Sequence, residues 1–412
     1  MEDVKYLIVG GGLAAARACE GIRELDGDGT IAIVTAEHHL PYNRPPLSKA
    51  YLRGERPLSR VYVQSEAYYQ ERAIAVYTGV EATRITRRSR RVTLADGDSI
   101  GYEELLLATG GRAWRLPLAG ADLPGVCTLR TIGDCDAIRD AARTAKSVLV
   151  IGGSFIGCEV TASLAQMGVP VTMCFLEDYP LQAVVSPDLG RHVQALLQQR
   201  GVRVIAATRP ERVEGDGRAE RVQLEDGTLV QADLVIMGVG IRLNTQLARD
   251  AELDLTDLSA IVVDEHLRTS DPHIYAAGDI AAWPEPASGQ RTRVEHWDVA
   301  SNQGHCAGRN MAGAGEEYRT LPYFFSDILD LSFEAWGNLA KAEQILVRGS
   351  LEQNSVSYWY VRGGKLAGVL AIGRPDQERD PMQALVSAGP AIEEIEVSLM
   401  DASTDLATLL QA

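Results

Sequence analysis

At 412 residues the chain exceeds the size at which one hydrophobic core keeps growing, so two or three domains are expected. Its 40 basic against 56 acidic side chains leave a formal charge of -16, which opposes non-specific binding to nucleic acid or to an anionic membrane surface. No apolar run approaches the roughly 20 residues that span a bilayer, and residues Met1 to Lys5 carry no basic signal-peptide start, so a cytoplasmic location is expected.

The segment Tyr6 to Glu20, YLIVGGGLAAARACE, runs from an apolar strand pattern through three glycines into a helical pattern. Gly10 suits a tight turn, Gly12 leaves no side chain between backbone and a pyrophosphate, and Ala15 lets the helix pack close to its strand. The helix then aims its positive end at the anion. Glu37 follows the next apolar strand, Ile31 to Val34, where a carboxylate can accept hydrogen bonds from ribose hydroxyls. Next comes LPYNRPPLSKAYL, Leu40 to Leu52, read as a proline-rich turn running into a helix. Its prolines stiffen the frame from which Arg44 and Lys49 project, either as ligands or as merely solvated cations. Arg91 to Gly110 reads as a hairpin turning at Asp96-Gly97, then a strand Glu104 to Ala108 that returns to the first sheet and ends at Thr109-Gly110, near a bound nucleotide.

A second copy of this plan starts at Val148. VLVIGGSFIGCEVTASLAQMGVPVTMCFLED again gives strand, glycine loop, helix, strand and closing acids, Glu177 and Asp178. Arg221 to Gly227 repeats the hairpin and Asp233 to Gly240 the returning strand, which implies two nucleotide-binding domains of common design. Ser154 stands where the middle glycine would be; its hydroxyl is expected to donate to a phosphate. The two acids, with no arginine beside them, would repel a 2'-phosphate and favour NADH over NADPH, unless Phe175 or Leu176 displaces them from the ribose.

Farther on, Leu267 to Ala281, LRTSDPHIYAAGDIA, places Gly278 and Asp279 at the end of an apolar run, just before an expected helix start. Asp279 is there either a ligand or a helix cap. Pro284 to Gly289 reads as a loop, and Glu295-His296-Trp297 opens a helix reaching about Met311. The start of that helix suits negative charge on a reduced ring, and Trp297 equally suits packing. Beyond Thr320 the aromatic-rich Pro322 to Gly337 precedes strands at Gln344 to Arg348, Ser355 to Arg362 and Lys365 to Ile372, the last two joined at Gly363-Gly364, and two amphipathic stretches, Met382 to Ala388 and Pro390 to Glu396. This is a small α+β domain whose aromatic entry either covers a cofactor or forms its own core. The six cysteines make neither a CxxC nor a CxxxxC, and the seven histidines show no metal-ligand spacing. Neither a redox dithiol nor a metal site is therefore expected.

Taken together, GGGLAAA, LPYNRPPLSK, LLLATGG, TLRTIGD, the second glycine loop, LRTSDPHIYAAGDIA and VEHW resemble, in order and spacing, the FAD- and NADH-dependent ferredoxin reductases that serve cytochromes P450 and Rieske oxygenases. These sit in the glutathione-reductase-like class that also holds apoptosis-inducing factor and monodehydroascorbate reductase. The resemblance implies an α/β fold with two Rossmann-like nucleotide-binding domains plus the C-terminal α+β domain. FAD binding falls to residues 1–113 and 241–319, NADH binding to 114–240, and the C-terminal domain to 320–412. It implies FAD held by Gly10, Gly11, Gly12, Leu13, Ala14, Glu37, Arg44, Lys49, Ala82, Thr109, Gly110, Arg130, Gly278, Asp279, His296 and Trp297. NADH would lie along Gly152, Gly153, Ser154, Phe155, Ile156 and Gly157, with Glu177 and Gly240 marking its far side and Glu295 near its nicotinamide. Glu159 would pair with Lys49 beside flavin N5 as a supporting catalytic ion pair, and Phe325 stands where the family often has tryptophan.

The activity so implied is hydride transfer from NADH to FAD, then single electrons to a [2Fe-2S] ferredoxin, by a monomer or homodimer. An acidic ferredoxin needs a basic rim: Arg84, Arg87, Arg88, Arg90 and Arg91 form one cluster, which also reads as a solvated hairpin face, and Arg44, Arg72, Arg309 and Arg319 are others. Two alternatives remain at this stage. One is a reductase of a small acceptor such as a quinone, an ascorbate radical or oxygen; the other is a slow redox-sensing protein of the apoptosis-inducing-factor type.

Overall fold

The computed structural model describes residues 2–285, 290–340 and 342–411, so residues 286–289 of the loop expected from Pro284 to Gly289 lie outside the described residues. The chain divides into two compact units, one of Met1–Arg44, Pro57–Arg112 and Arg242–Pro322, the other of Pro45–Arg56, Ala113–Ile241 and Tyr323–Ala412.

In the first unit β1 (Val4–Val9) leads through the glycines into α1 (Leu13–Leu25), followed by β2 (Ile31–Thr35), β3 (Ile74–Thr78), β4 (Ala82–Thr86), β5 (Arg91–Leu94) and β6 (Ser99–Leu107). The sheet order is β3-β2-β1-β6-β5-β4, and the strand Ile274–Ala276 pairs in parallel with β6. β1 runs parallel to both β2 and β6, and its residues Tyr6–Val9 are buried on both faces, which explains the apolar run there. The hairpin of β5 and β6 turns at Gly97, whose φ of +92 suits glycine. Helix Trp297–Met311 lies against α1 at a spacing set by glycines. A Cβ at Gly304 would stand 2.3 Å from the Ala14 carbonyl oxygen, and one at Gly308 2.2 Å from that of Ala18.

The second unit repeats the plan with β7 (Val126–Thr128), α2 (Ile132–Ala142), β8 (Val148–Ile151), α3 (Phe155–Gln166), β9 (Val171–Cys174), α4 (Pro187–Gln199), β10 (Arg203–Ile205) and β14 (Leu234–Met237), in the order β10-β9-β8-β14-β7. Between them β11 (Pro210–Glu214), β12 (Arg221–Leu224) and β13 (Leu229–Gln231) make a separate antiparallel sheet containing the repeated hairpin. The copies agree at the level of single hydrogen bonds. Gly10 donates to the Val34 carbonyl at 2.9 Å, as Gly152 does to that of Cys174 at 2.8 Å.

The same unit contains an antiparallel sheet of β15 (Tyr323–Ile328), β16 (Leu331–Gly337), β17 (Gln344–Ser350), β18 (Ser355–Arg362) and β19 (Lys365–Ile372), in the order β15-β16-β19-β18-β17, with α5 (Arg379–Ala388) and α6 (Ile392–Met400). The aromatic entry thus forms two paired strands. Tyr323 faces Trp336 and Ser326 faces Phe333 across the hairpin.

Two expectations need correction. The run after Leu40 becomes a 3-10 turn at Pro45–Ser48 followed by further turns: the N–H groups of Lys49 and Tyr51 both reach the Pro46 carbonyl, at 3.1 and 3.0 Å, in place of a regular α-helical ladder. After Asp279 there is no helix start but a turn into the strand Ala281–Pro284, whose Ala281 and Ala282 pair in parallel with Ile261 and Val262.

Candidate functional site

The three glycines of the first loop serve different purposes. A Cβ at Gly10 (φ +132) would stand 2.1 Å from the Ala108 carbonyl oxygen, and one at Gly11 2.3 Å from Thr35 Oγ1, so chain packing requires both. At Gly12, the N-cap of α1, a Cβ would meet nothing within 4 Å. The open face therefore sits where the unsatisfied N–H groups and positive end of α1 are exposed, which fits a pyrophosphate. Leu13 and Ala14 follow as buried residues of the first turn.

Around this loop the first unit gathers polar groups. Glu37 bonds Arg44 at 2.9 Å through one carboxylate oxygen and accepts from the Tyr42 hydroxyl at 2.6 Å through the other. Although burial opposes its charge, Tyr42, Glu37 and Asp279 keep Arg44 firmly protonated. Trp297 donates its indole N–H to Asn43 at 2.7 Å, which ties the start of its helix to the proline-rich segment. The Gly278 N–H donates to the fully buried Gln303 at 2.9 Å. Thr109 donates to the Asn244 carbonyl at 2.6 Å, and Gly110 accepts from the Asn244 N–H at 2.9 Å. Burial pushes the His296 imidazole down to about 4 against the pull of Asp279, so it is neutral at the N-terminus of helix Trp297–Met311, where a cation would be disfavoured. Ala82 begins β4, and exposed Glu295 pairs with Arg293 at 2.6 Å. Arg130 and Lys49 belong to the second unit. The Arg130 N–H donates to Asp134 at 3.0 Å, ahead of α2.

In the second loop a Cβ at Gly157 would stand 2.1 Å from the Gly152 carbonyl oxygen, and one at Gly152 (φ +122) 2.4 Å from that of Gly238, while Gly240 (φ +98) faces open space. Ser154 departs from expectation. Its hydroxyl donates to the Gly238 carbonyl at 3.0 Å and caps α3 by accepting from Gly157 at 3.4 Å, so the chain's own backbone uses it. Phe175 is buried beneath Gly153, whereas the carboxylate of exposed Glu177 comes within 3.5 Å of a Cβ built there. Both the aromatic ring and the acid therefore border the loop, the ring at 3.1 Å and the carboxylate at 3.5 Å from that Cβ. Ile156 is exposed, and Phe155 turns its ring to Phe324 at 5.0 Å.

The same unit seats a charged cluster around Glu159, which is 4% exposed. One carboxylate oxygen accepts from Lys49 Nζ at 2.7 Å and Ser326 Oγ at 2.6 Å; the other accepts from Ser48 Oγ at 2.5 Å. Ser163 donates to the Ser48 carbonyl at 2.7 Å and fixes that turn. Lys49 Nζ also lies 6.0 Å from the Phe325 ring centre, and Phe325 stacks on Tyr323 at 6.3 Å. The expected Lys49–Glu159 pair is thus present, but sequence reading missed Ser48 and Ser326. They are 111 and 167 positions from Glu159, with no local pattern to announce them. Tyr42 and Asn43 were missed too, although they stand inside the quoted LPYNRPPLSK.

All six cysteines are free, and burial pushes the thiols of Cys19, Cys135 and Cys174 up to about 12, far from reactive thiolates. Among the arginines weighed for docking, Arg87 pairs with Asp271, Arg91 with Asp3, and Arg309 with Glu24 and Glu316. Among the described residues no helix is long and apolar enough to cross a membrane.

Residues 4–304 match the family model described as pyridine nucleotide-disulphide oxidoreductase, and residues 323–410 match the one described as reductase C-terminal. The chain belongs to the pyridine nucleotide-disulphide oxidoreductase family. Rhodocoxin reductase of Rhodococcus erythropolis is 35% identical to it over 382 residues, 92% of this chain and 88% of the relative. The anthranilate 1,2-dioxygenase system ferredoxin–NAD(+) reductase component of Burkholderia cepacia is 34% identical over 370 residues, 89% and 90% of the two. The crystal structure of the ferredoxin reductase for the CYP199A2 system from Rhodopseudomonas palustris superposes with a TM-score of 0.92 at 32% identity, covering 99% of this chain and 100% of the other.

Proposed function

We propose that the chain is a cytoplasmic flavoprotein oxidoreductase that passes a hydride from NADH to FAD and then single electrons to a [2Fe-2S] ferredoxin serving a cytochrome P450 or a Rieske oxygenase. Bound FAD supplies the exchange between one two-electron donor and two one-electron deliveries. The protein's share is to bind, orient and balance charge. Residues 1–113 and 241–319 hold FAD, with Gly12 and the N–H groups of α1 on the pyrophosphate and Glu37 on the ribose. Residues 114–240 hold NADH on the Gly152–Gly157 loop. Lys49 and Glu159 support the reacting edge of the flavin with a fixed cation and anion of small net charge. The observation that carries the reading is Gly12, a glycine that no packing contact demands, opening a helix N-terminus. The six free cysteines, four of them buried, support an external acceptor in place of an internal disulfide.

The test is spectroscopic. Purified protein is expected to bind FAD, to bleach when NADH is added anaerobically, and to recolour on mixing with an oxidised [2Fe-2S] ferredoxin. A protein that takes up no flavin, or a bound flavin that ignores NADH, rules the reading out. A second reading, reduction of a small planar acceptor such as a quinone, draws support from a cavity of about 360 Å³ lined by Tyr323, Phe325, Phe333, Glu334, Arg379 and Met382. Stopped-flow reoxidation by ferredoxin, quinone and oxygen separates the two.

NADH is the preferred donor because Glu177 borders the loop. Glu177→Arg is expected to raise the ratio of kcat/KM for NADPH over that for NADH by roughly tenfold or more, about 1.4 kcal/mol of discrimination. Steady-state kinetics with both donors check this, and an unchanged ratio would remove Glu177 from the site.

A further inference from the structure

The segment after β9 cannot hold its shape unaided. Leu181, buried at 3% exposure, adopts φ +64, a left-handed conformation that a branched side chain keeps only when its surroundings enforce it. One restraint comes from the glycine loop, because the Leu181 N–H donates to the Gly153 carbonyl at 2.7 Å. The Leu181 carbonyl in turn accepts from the Val184 N–H at 2.9 Å and the Val185 N–H at 3.0 Å. The other restraint comes from the C-terminal sheet. Tyr360 of β18 donates its hydroxyl to the Val184 carbonyl at 2.8 Å, and Tyr358, two residues earlier on the same face, donates to Asp188 in the first turn of α4 at 2.8 Å. Both tyrosines are almost completely buried. A chain of three hydrogen bonds therefore runs from β18 through residues 181–184 to the backbone of Gly153.

We infer that Tyr360, backed by Tyr358, is a positioning residue for NADH: the C-terminal sheet fixes the glycine loop of the neighbouring nucleotide-binding fold from behind. The inference rests on reading Gly152–Gly157 as the NADH site. Neither tyrosine touches the nucleotide; each acts by restricting the loop to one shape before the nucleotide arrives, so its removal weakens binding and leaves the later chemistry unaltered.

The test uses the full-length, FAD-loaded protein with Tyr360→Phe and Tyr358→Phe. Stopped-flow flavin reduction gives the Kd for NADH and the limiting reduction rate; steady-state turnover with ferricyanide gives KM and kcat. For Tyr360→Phe we expect Kd and KM to rise about fivefold, the factor for one lost hydrogen bond, with the limiting rate, kcat and flavin absorbance kept. Tyr358→Phe is expected to move the same constants in the same direction by less, and it carries the test if the Tyr360 variant does not fold. A lower melting temperature with Kd unchanged shows a purely structural role and overturns the proposal, as does a slower limiting rate at constant Kd. If the unmodified protein is not reduced by NADH at all, the reading of the loop fails before the variants are compared.

Discussion

Glu159→Leu is expected to destabilise the protein by about 3–5 kcal/mol, the usual cost of leaving a buried charge without its partner. The carboxylate is 4% exposed and takes three donors, so leucine would strand Lys49 Nζ together with the hydroxyls of Ser48 and Ser326. Glu159→Gln should cost less. Its amide oxygen can stay on the side of Lys49 and Ser326 while its NH2 faces Ser48, whose hydroxyl already has the Pro45 carbonyl within 3.3 Å as another acceptor. Urea unfolding of the three proteins checks the order, and near-equal midpoints would show that the cluster contributes little to folding. Kinetics separate the second role. Both variants, if they retain FAD, are expected to be reduced more slowly by NADH, because the charge that balances Lys49 is gone.

Arg348→Met should have an effect of similar size from another part of the fold. The guanidinium is 1% exposed and donates to the carbonyls of Leu399 at 3.2 Å, Ala402 at 3.3 Å and Thr404 at 2.7 Å, to that of Asp401, and to Glu378 at 3.1 Å. Burial works against the charge of Glu378, yet Arg374 and Arg348 hold its carboxyl below the usual range. Methionine fills much of the same volume but leaves those carbonyls without a donor, for an expected loss of about 3–5 kcal/mol. Lysine should restore only part of this, because one ammonium cannot reproduce a planar fork. Calorimetry gives the loss, and limited proteolysis should show earlier cleavage beyond Met400. Unchanged proteolysis would mean that the segment is held by its apolar contacts alone.

These two clusters mark the limit of what the sequence discloses. The doubled βαβ plan was legible because its signals are local: apolar runs, glycines at fixed spacing, Asp-Gly turns and a closing acid recur in the same order. Lys49 and Glu159 could be paired only through a family resemblance. Their hydroxyl partners come from a turn and a strand far apart in the chain, and serine carries no signal of burial. Arg348 looked like any strand cation. The aromatic stretch Tyr323–Trp336 concealed a hairpin because successive rings mask the alternation that marks a strand; the register shows Tyr323 opposite Trp336 and Phe325 opposite Glu334. Asp279 preceded a turn where a helix was expected, since Asp suits the start of either. Ser154 was assigned outward to a phosphate, but the Gly238 carbonyl takes its hydroxyl, a contact fixed only once β14 returns beside β8.

The tyrosine contacts from β18 bear on how such reductases can be recombined. Because Tyr358 and Tyr360 grip residues 184–188, a chimaera that exchanges only the C-terminal module would bring in a sheet cut for a different loop. The workable graft carries the 178–188 segment along with its sheet, so the natural unit of exchange is discontinuous in the gene although contiguous in space.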